Sequence, residues 1–135
     1  MIKSETTLRV RYGETDQMGF VYYGVYAQYY EVGRVETMRS LGFSYRDMEE
    51  AGVMMPVINL TVNYKKPARY DDEVRIVTTV KQLPSVRITF EYECYNQHNE
   101  LLNTGSVMLV FMDKVTSRPM QPPTWFMDGF KKLFK

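Results

Sequence analysis

Between Arg11 and Arg34 the chain reads RYGETDQMGFVYYGVYAQYYEVGR, and two kinds of group in it could do chemistry together. Asp16 is a carboxylate in a loop, just after a strand-like run that stops at Gly13. About two helical turns later a tyrosine-rich helical pattern begins. The first N–H groups of a helix lack intrahelical partners and sit at the positive end of its dipole. Tyr23 and Gly24 are placed to offer such N–H groups, and a glycine lets a ligand approach the backbone closely. One acidic side chain and a pair of anion-binding donors could thus share a small-molecule site. Asp16 could equally be a turn or capping carboxylate, as many loop aspartates are. Glu14 reads as solvated or paired to an arginine. Glu31 and Arg34, three apart on the helix, read as a structural ion pair.

The elements that must position these groups follow from periodicity. Thr6 to Tyr12 alternates, with Leu8, Val10 and Tyr12 on one face, and reads as a strand. A long helix is expected from about Val25 to Leu41. Tyr22, Tyr26, Tyr29 and Gly33 fall on one stripe of it, and Gly42 is its expected stop. Ser44 and Asp47 form a capping-box pattern for a short helix ending at Gly52. The period then changes to two. Strands are expected over Val53 to Lys65, Glu73 to Gln82, Val86 to Asn96 and Leu101 to Asp113. Pro119, Pro122 and Pro123 end the sheet, and Thr124 to Phe134 reads as a terminal helix. Strand, helix and then four strands joined mainly by short turns imply an α+β fold. In it an antiparallel five-stranded sheet hides one face under the long helix.

Bulk properties narrow the function class. The 135 residues are most simply a single domain, 1–135, and carry a net charge of +1. This calls for neither nucleic acid nor an acidic membrane as partner. One cysteine, Cys94, excludes an internal disulfide and a cysteine-based metal cluster. No apolar run is long enough to span a membrane, and the N-terminus turns polar at once, so a cytoplasmic location is expected. Eleven Tyr and ten Met suit a tyrosine-rich core, a ligand cleft or a subunit contact. The single histidine, His98, falls in a polar hairpin turn and reads as exposed and inert.

The order of elements and the motif resemble a known family. Thr15-Asp16, Gly19, Val21-Tyr22, Tyr26, Glu31, Arg34 and Gly42, with Lys66-Pro67-Ala68 and Asp71-Asp72 further on, are similar to hotdog-fold acyl-CoA thioesterases of the 4-hydroxybenzoyl-CoA thioesterase type. The resemblance spans roughly Leu8 to Pro123. It implies a long central helix wrapped by the five-stranded antiparallel sheet, with Asp16 as the catalytic carboxylate. It also implies that the backbone N–H near Tyr23 polarises the thioester carbonyl. Many relatives carry His where this chain has Tyr23, and Asn two residues later where it has Val25. By resemblance the protein is a homo-oligomer, a homodimer or a homotetramer of stacked dimers, with its site at the dimer interface. No cofactor or metal is implied beyond the coenzyme A of the substrate.

Thioester hydrolysis suits these groups. A thiolate leaves readily, so one carboxylate and N–H donors for the oxyanion suffice. The phosphates of CoA call for cations at the cleft mouth, for which Lys65, Lys66, Arg69 and Arg87 are the candidates. Two other functions compete. A hydratase or dehydratase of the same fold would need a histidine base, and His98 lies in the wrong segment. A non-catalytic acyl-CoA or acyl-carrier binding module would not need Asp16.

Overall fold

The computed structural model describes every residue from Met1 to Lys135. Seven strands and three helices form in chain order: β1 (Ile2–Arg9), α1 (Tyr26–Ser40), α2 (Tyr45–Glu50), β2 (Val53–Met54), β3 (Val57–Tyr64), β4 (Glu73–Val80), β5 (Arg87–Tyr95), β6 (Leu101–Val110), β7 (Met112–Asp113) and α3 (Thr124–Leu133). Single 3₁₀ turns at Tyr12–Glu14 and Tyr23–Val25 bracket the Asp16 loop.

The main sheet is antiparallel, in the order β1-β4-β5-β6-β3. Alternation decides which face is buried. Val74, Ile76, Thr78 and Val80 of β4 point the same way as Ile88, Phe90, Tyr92 and Cys94 of β5, and all are buried. Against them α1 packs Tyr26, Tyr29, Tyr30, Gly33, Thr37 and Met38. A Cβ at Gly33 would lie 2.6 Å from Thr78 Oγ1 and 3.0 Å from Ile76 Cγ2, so the helix meets the sheet here by backbone. Tyr30 stacks on Tyr92 with ring centroids 4.2 Å apart and donates to Asn103 Oδ1 at 2.5 Å. At the far end of α1, Phe126 and Phe130 of α3 close the core against Phe43 and Phe111.

Several expectations change. The first strand is Ile2–Arg9 rather than Thr6 to Tyr12. Val10 stays on the buried face, but its N–H goes to Asp72 O at 2.9 Å, outside the ladder, and Tyr12 turns outward. The strand expected over Val53 to Lys65 is two strands, because Pro56 has no N–H for a ladder. The first of them, β2, pairs with β7 as a separate ribbon, which also ends the last strand of the main sheet at Val110. The connection from β3 to β4 is not a hairpin. These two strands sit at different places in the sheet, β3 at the edge beside β6 and β4 beside β1. On α1, Tyr22 lies ahead of the helix and is exposed, so the buried stripe runs through Tyr30 instead. Capping of α2 is as expected in part: Ser44 Oγ accepts from Asp47 N at 3.1 Å. Gly42 and Gly52 follow α1 and α2 at φ of 87° and 80°, as the C-terminal stops require.

Candidate active site

The Asp16 loop is held at both ends before any ligand is considered. Glu14 is its rear clasp. Its carboxylate accepts from Arg11 N at 2.8 Å, from the Arg11 guanidinium at 3.2 Å and from the Tyr29 hydroxyl at 2.9 Å. Its carbonyl oxygen accepts from Tyr22 N at 2.9 Å. Burial alone would raise the Glu14 pKa, but these donors and the Arg11 charge outweigh it and hold the carboxyl below its usual range. Glu14 is therefore paired to an arginine, while burial, with the Glu14 carboxylate beside it, pushes the Tyr29 hydroxyl up.

Between the clasp and α1 the chain makes a tight reversal. Thr15 pairs with Val21, and Phe20 pairs with Arg69. Val21 N reaches Ala68 O at 2.8 Å, so the loop docks on the β3–β4 connection. Gly19, at φ 81°, takes the left-handed corner that lets its N–H close on Asp16 O at 3.0 Å. Asp16 Oδ1 accepts the N–H groups of Met18 at 2.9 Å and Phe20 at 3.3 Å. One carboxylate oxygen thus organises the turn. The other, Oδ2, has no hydrogen bond within the protein, and Asp16 is half-exposed.

The helix start lies at the other end of the reversal. The N–H groups of Tyr23 and Gly24 donate to no group in the protein, whereas Val25 N already closes on Tyr22 O. Tyr64, the last residue of β3, donates its hydroxyl to Tyr23 O at 2.9 Å and fixes this turn. Sequence periodicity did not single out Tyr64. Its one signal is its place at the end of an alternating run, before Lys65-Lys66-Pro67.

The basic candidates separate. Arg69 stands over the Phe20 ring at 4.8 Å, on the loop that carries Asp16. Lys65 is exposed beside Tyr64 and forms no ion pair, while Lys66 is bound to Glu100. Arg87 opens β5 opposite Val110, seven residues along β6 from the Asn103 that faces Tyr64. That is about 24 Å at the usual strand rise. Asp16, Tyr23, Gly24, Lys65 and Arg69 thus gather at one end of a protomer and Arg87 lies at the other. His98 is exposed in its hairpin turn, and burial pushes the Cys94 thiol up to about 12. Glu31 and Arg34 form no ion pair; Arg34 is buried, and the ion pairs of this stretch are Arg39–Glu36 and Arg46–Glu50.

A long helix laid along a five-stranded antiparallel sheet, with a carboxylate loop at its N-terminus, defines a hotdog-fold protein. The chain belongs to the thioesterase-like superfamily, whose family model matches residues 10–130. YbgC of Escherichia coli, an acyl-CoA thioester hydrolase, is 33% identical over 125 residues, covering 93% of each chain. YneP of Bacillus subtilis is 36% identical over 118 residues, covering 87% of this chain and 86% of its own. Among solved structures, the DHNA-CoA thioesterase of Staphylococcus aureus superposes with a TM-score of 0.92 at 39% identity, covering 98% of this chain and 91% of that one.

Proposed function

We propose that the protein hydrolyses an acyl-CoA thioester to a free acid and CoA. The observation that carries the reading is the pair of unsatisfied features on one short loop. Asp16 has one oxygen pinned by Met18 and Phe20 and the other open, and the loop ends in two free N–H groups, of Tyr23 and Gly24. Asp16 Oδ2 supplies an electron pair, to the carbonyl carbon itself or to a proton of the attacking water. The carbonyl oxygen gains negative charge and is met by the two N–H donors at the positive end of α1. The C–S bond then breaks and the thiolate leaves; on the water route this gives the free acid at once, and on the nucleophilic route water then cleaves the acyl–Asp16 anhydride to release it. No cofactor is drawn on beyond the CoA of the substrate. The relatives named for acyl-CoA thioester hydrolysis support this reading at the level of the activity.

A second copy of the chain completes the site in this reading. Strand β3 is a sheet edge with no charged residue from Val57 to Tyr64, and Val57, Ile58, Leu60 and Tyr64 are all exposed. The opposite edge, β1, carries Lys3, Glu5 and Arg9 and so discourages pairing. Two β3 edges joined antiparallel form a continuous ten-stranded sheet. The Tyr64 end of one protomer then lies beside the Val57 end of its partner, which brings a partner's Arg87 toward the Asp16 end. Arg69 and Lys65 from one chain and Arg87 from the other are our candidates for the CoA phosphates, with Lys66 free to join if it leaves Glu100. We place the protein in the cytoplasm as a single domain, assembled as a dimer or a tetramer of stacked dimers; no helix is long and apolar enough to cross a membrane.

The test is a thiol-release screen across aromatic, short and medium acyl-CoA thioesters, with Asp16→Asn as the blank. Turnover in the native chain, absent from the variant, supports the reading. The turn bonds of Asp16 Oδ1 also suit an acyl-CoA binding module without catalysis. Calorimetry with a non-hydrolysable CoA thioether separates the two, since binding without thiol release would favour the module.

A further inference from the structure

Arg34 lies on α1 facing β5 and is only 8% exposed, yet it has no carboxylate partner. A buried guanidinium without an anion is costly, because its lost hydration is not repaid. Beside it lie the hydroxyls of Tyr45 and Tyr92, both buried, each close to the Arg34 guanidinium but without a hydrogen bond of ordinary geometry. Burial pushes the Tyr45 hydroxyl up to about 12 despite the nearby Arg34 charge, so it stays a neutral donor at neutral pH. Arg34 and Tyr45 open on a cleft of about 350 Å³ whose apolar walls include Val35, Met55 and Leu109. The cleft continues along the flank of α1 over Val57, Leu60 and Val107 of the β3 edge. Its charged side carries Arg34, Arg39 and Arg46 against the single carboxylate of Glu31, with the Tyr45 hydroxyl beside Arg34, so the cleft pairs an apolar wall with a net cationic one.

The geometry points to an anion subsite: the cleft takes the far carboxylate of an acyl chain whose other end is the thioester, so the preferred substrates are CoA monothioesters of dicarboxylic acids. This rests on the thioesterase reading and on antiparallel β3 pairing. Within one protomer Arg34 stands eleven residues beyond Tyr23, about 16 Å along the helix. Its cleft is at the level of Val57 and Leu109 and not of its own Asp16. Antiparallel pairing inverts that order and lays the cleft of one protomer beside the Asp16 loop of the other. A carboxylate is the ligand of choice because the planar guanidinium fork matches its two oxygens, and a full negative charge is what a buried arginine lacks. A phenol would bring no charge to it.

Two readouts test the subsite. The first is kcat/KM for adipyl-CoA against hexanoyl-CoA, which have the same number of acyl carbons and differ in the terminal carboxylate. We expect a preference of at least about tenfold for adipyl-CoA, each tenfold being about 1.4 kcal/mol. The preference should fall toward one in Arg34→Met and several-fold in Tyr45→Phe, which removes only the hydroxyl beside Arg34 and decides the matter if the arginine variant does not fold. The second readout is calorimetric titration of the native protein with free adipate. Binding that weakens in Tyr45→Phe supports the subsite independently of turnover. Hydrolysis of hexanoyl-CoA with no advantage for adipyl-CoA overturns the subsite alone, as does a preference that survives both variants or an absence of adipate binding. Hydrolysis of neither thioester here or in the wider acyl-CoA panel overturns the thioesterase reading, while adipate binding would still stand on its own.

Discussion

The hydroxyl of Tyr64 donates to the carbonyl oxygen of Tyr23 at 2.9 Å, tying the last residue of the edge strand β3 to the first residue of the turn that opens α1. The bond fixes the peptide plane next to the Tyr23 and Gly24 N–H groups from outside the loop. Removing it in Tyr64→Phe should cost about 1 kcal/mol in stability or less, since both partners can find water. The larger effect should be on kcat, as the donors lose their fixed aim. Steady-state kinetics and a melting curve on the same preparation check this, and a fall in melting temperature with kcat intact would contradict it.

Glu14 makes the loop sensitive to acid. Its folded-state pKa lies below its ordinary value of 4.5, with burial opposing and the Arg11 and Tyr29 donors prevailing. The unfolded chain then binds a proton more readily than the folded one. The stabilisation is complete above about 4.5 and is lost as pH falls through the depressed folded value. Replacing Glu14 with Gln should lower the melting temperature at neutral pH and flatten its decline below that point. Coincident melting-temperature curves for the two proteins across about pH 3 to 7, which spans the ordinary carboxylate values, would show that the clasp contributes nothing.

Gly33 should not tolerate a methyl group. Alanine is favoured over glycine within a helix by about 1 kcal/mol. Here its Cβ would stand 2.6 Å from Thr78 Oγ1 and 3.3 Å from Tyr92 Cε1, both in the buried layer. Overpacking of this kind costs about 1–3 kcal/mol, so Gly33→Ala should be destabilised despite its propensity gain. Denaturant unfolding measures the sign directly.

In the dimer proposed above, a charge on the β3 edge should separate the copies. Leu60, midway along β3 and 46% exposed, is the position at which Leu60→Lys disturbs an interface with little effect on the protomer. Light scattering should show the native chain as a dimer or larger and the variant shifted to monomer, with activity falling in parallel because the partner no longer completes the site. A native monomer at micromolar concentration would contradict the dimer.

The sequence carried the long helix, the antiparallel sheet and the Asp16 loop, because each has a local signature: 3.6-residue spacing, alternation, and glycine with Asx-turn chemistry. What it did not carry is nonlocal. Pro56 could be seen as a weak point in a strand, but the pairing of β2 with β7 depends on residues about sixty positions apart. The placement of β3 beside β6 depends on the crossover that follows it. Arg34 looked like one half of an i,i+3 ion pair with Glu31, and only α2 and β5, arriving from later in the chain with Tyr45 and Tyr92, bury it instead. Tyr30 was missed for the same reason, since its partners Tyr92 and Asn103 lie more than sixty residues away.

The most direct measurement is thiol release by Asp16→Asn, using the best acyl-CoA found for the native chain. The substitution keeps the Oδ1 acceptor for Met18 and Phe20 and removes only the negative charge, so the fold should persist by circular dichroism and melting temperature. In this variant kcat should fall by roughly 10²–10⁴-fold. A folded Asp16→Asn protein that turns over thioester at the native rate would contradict it.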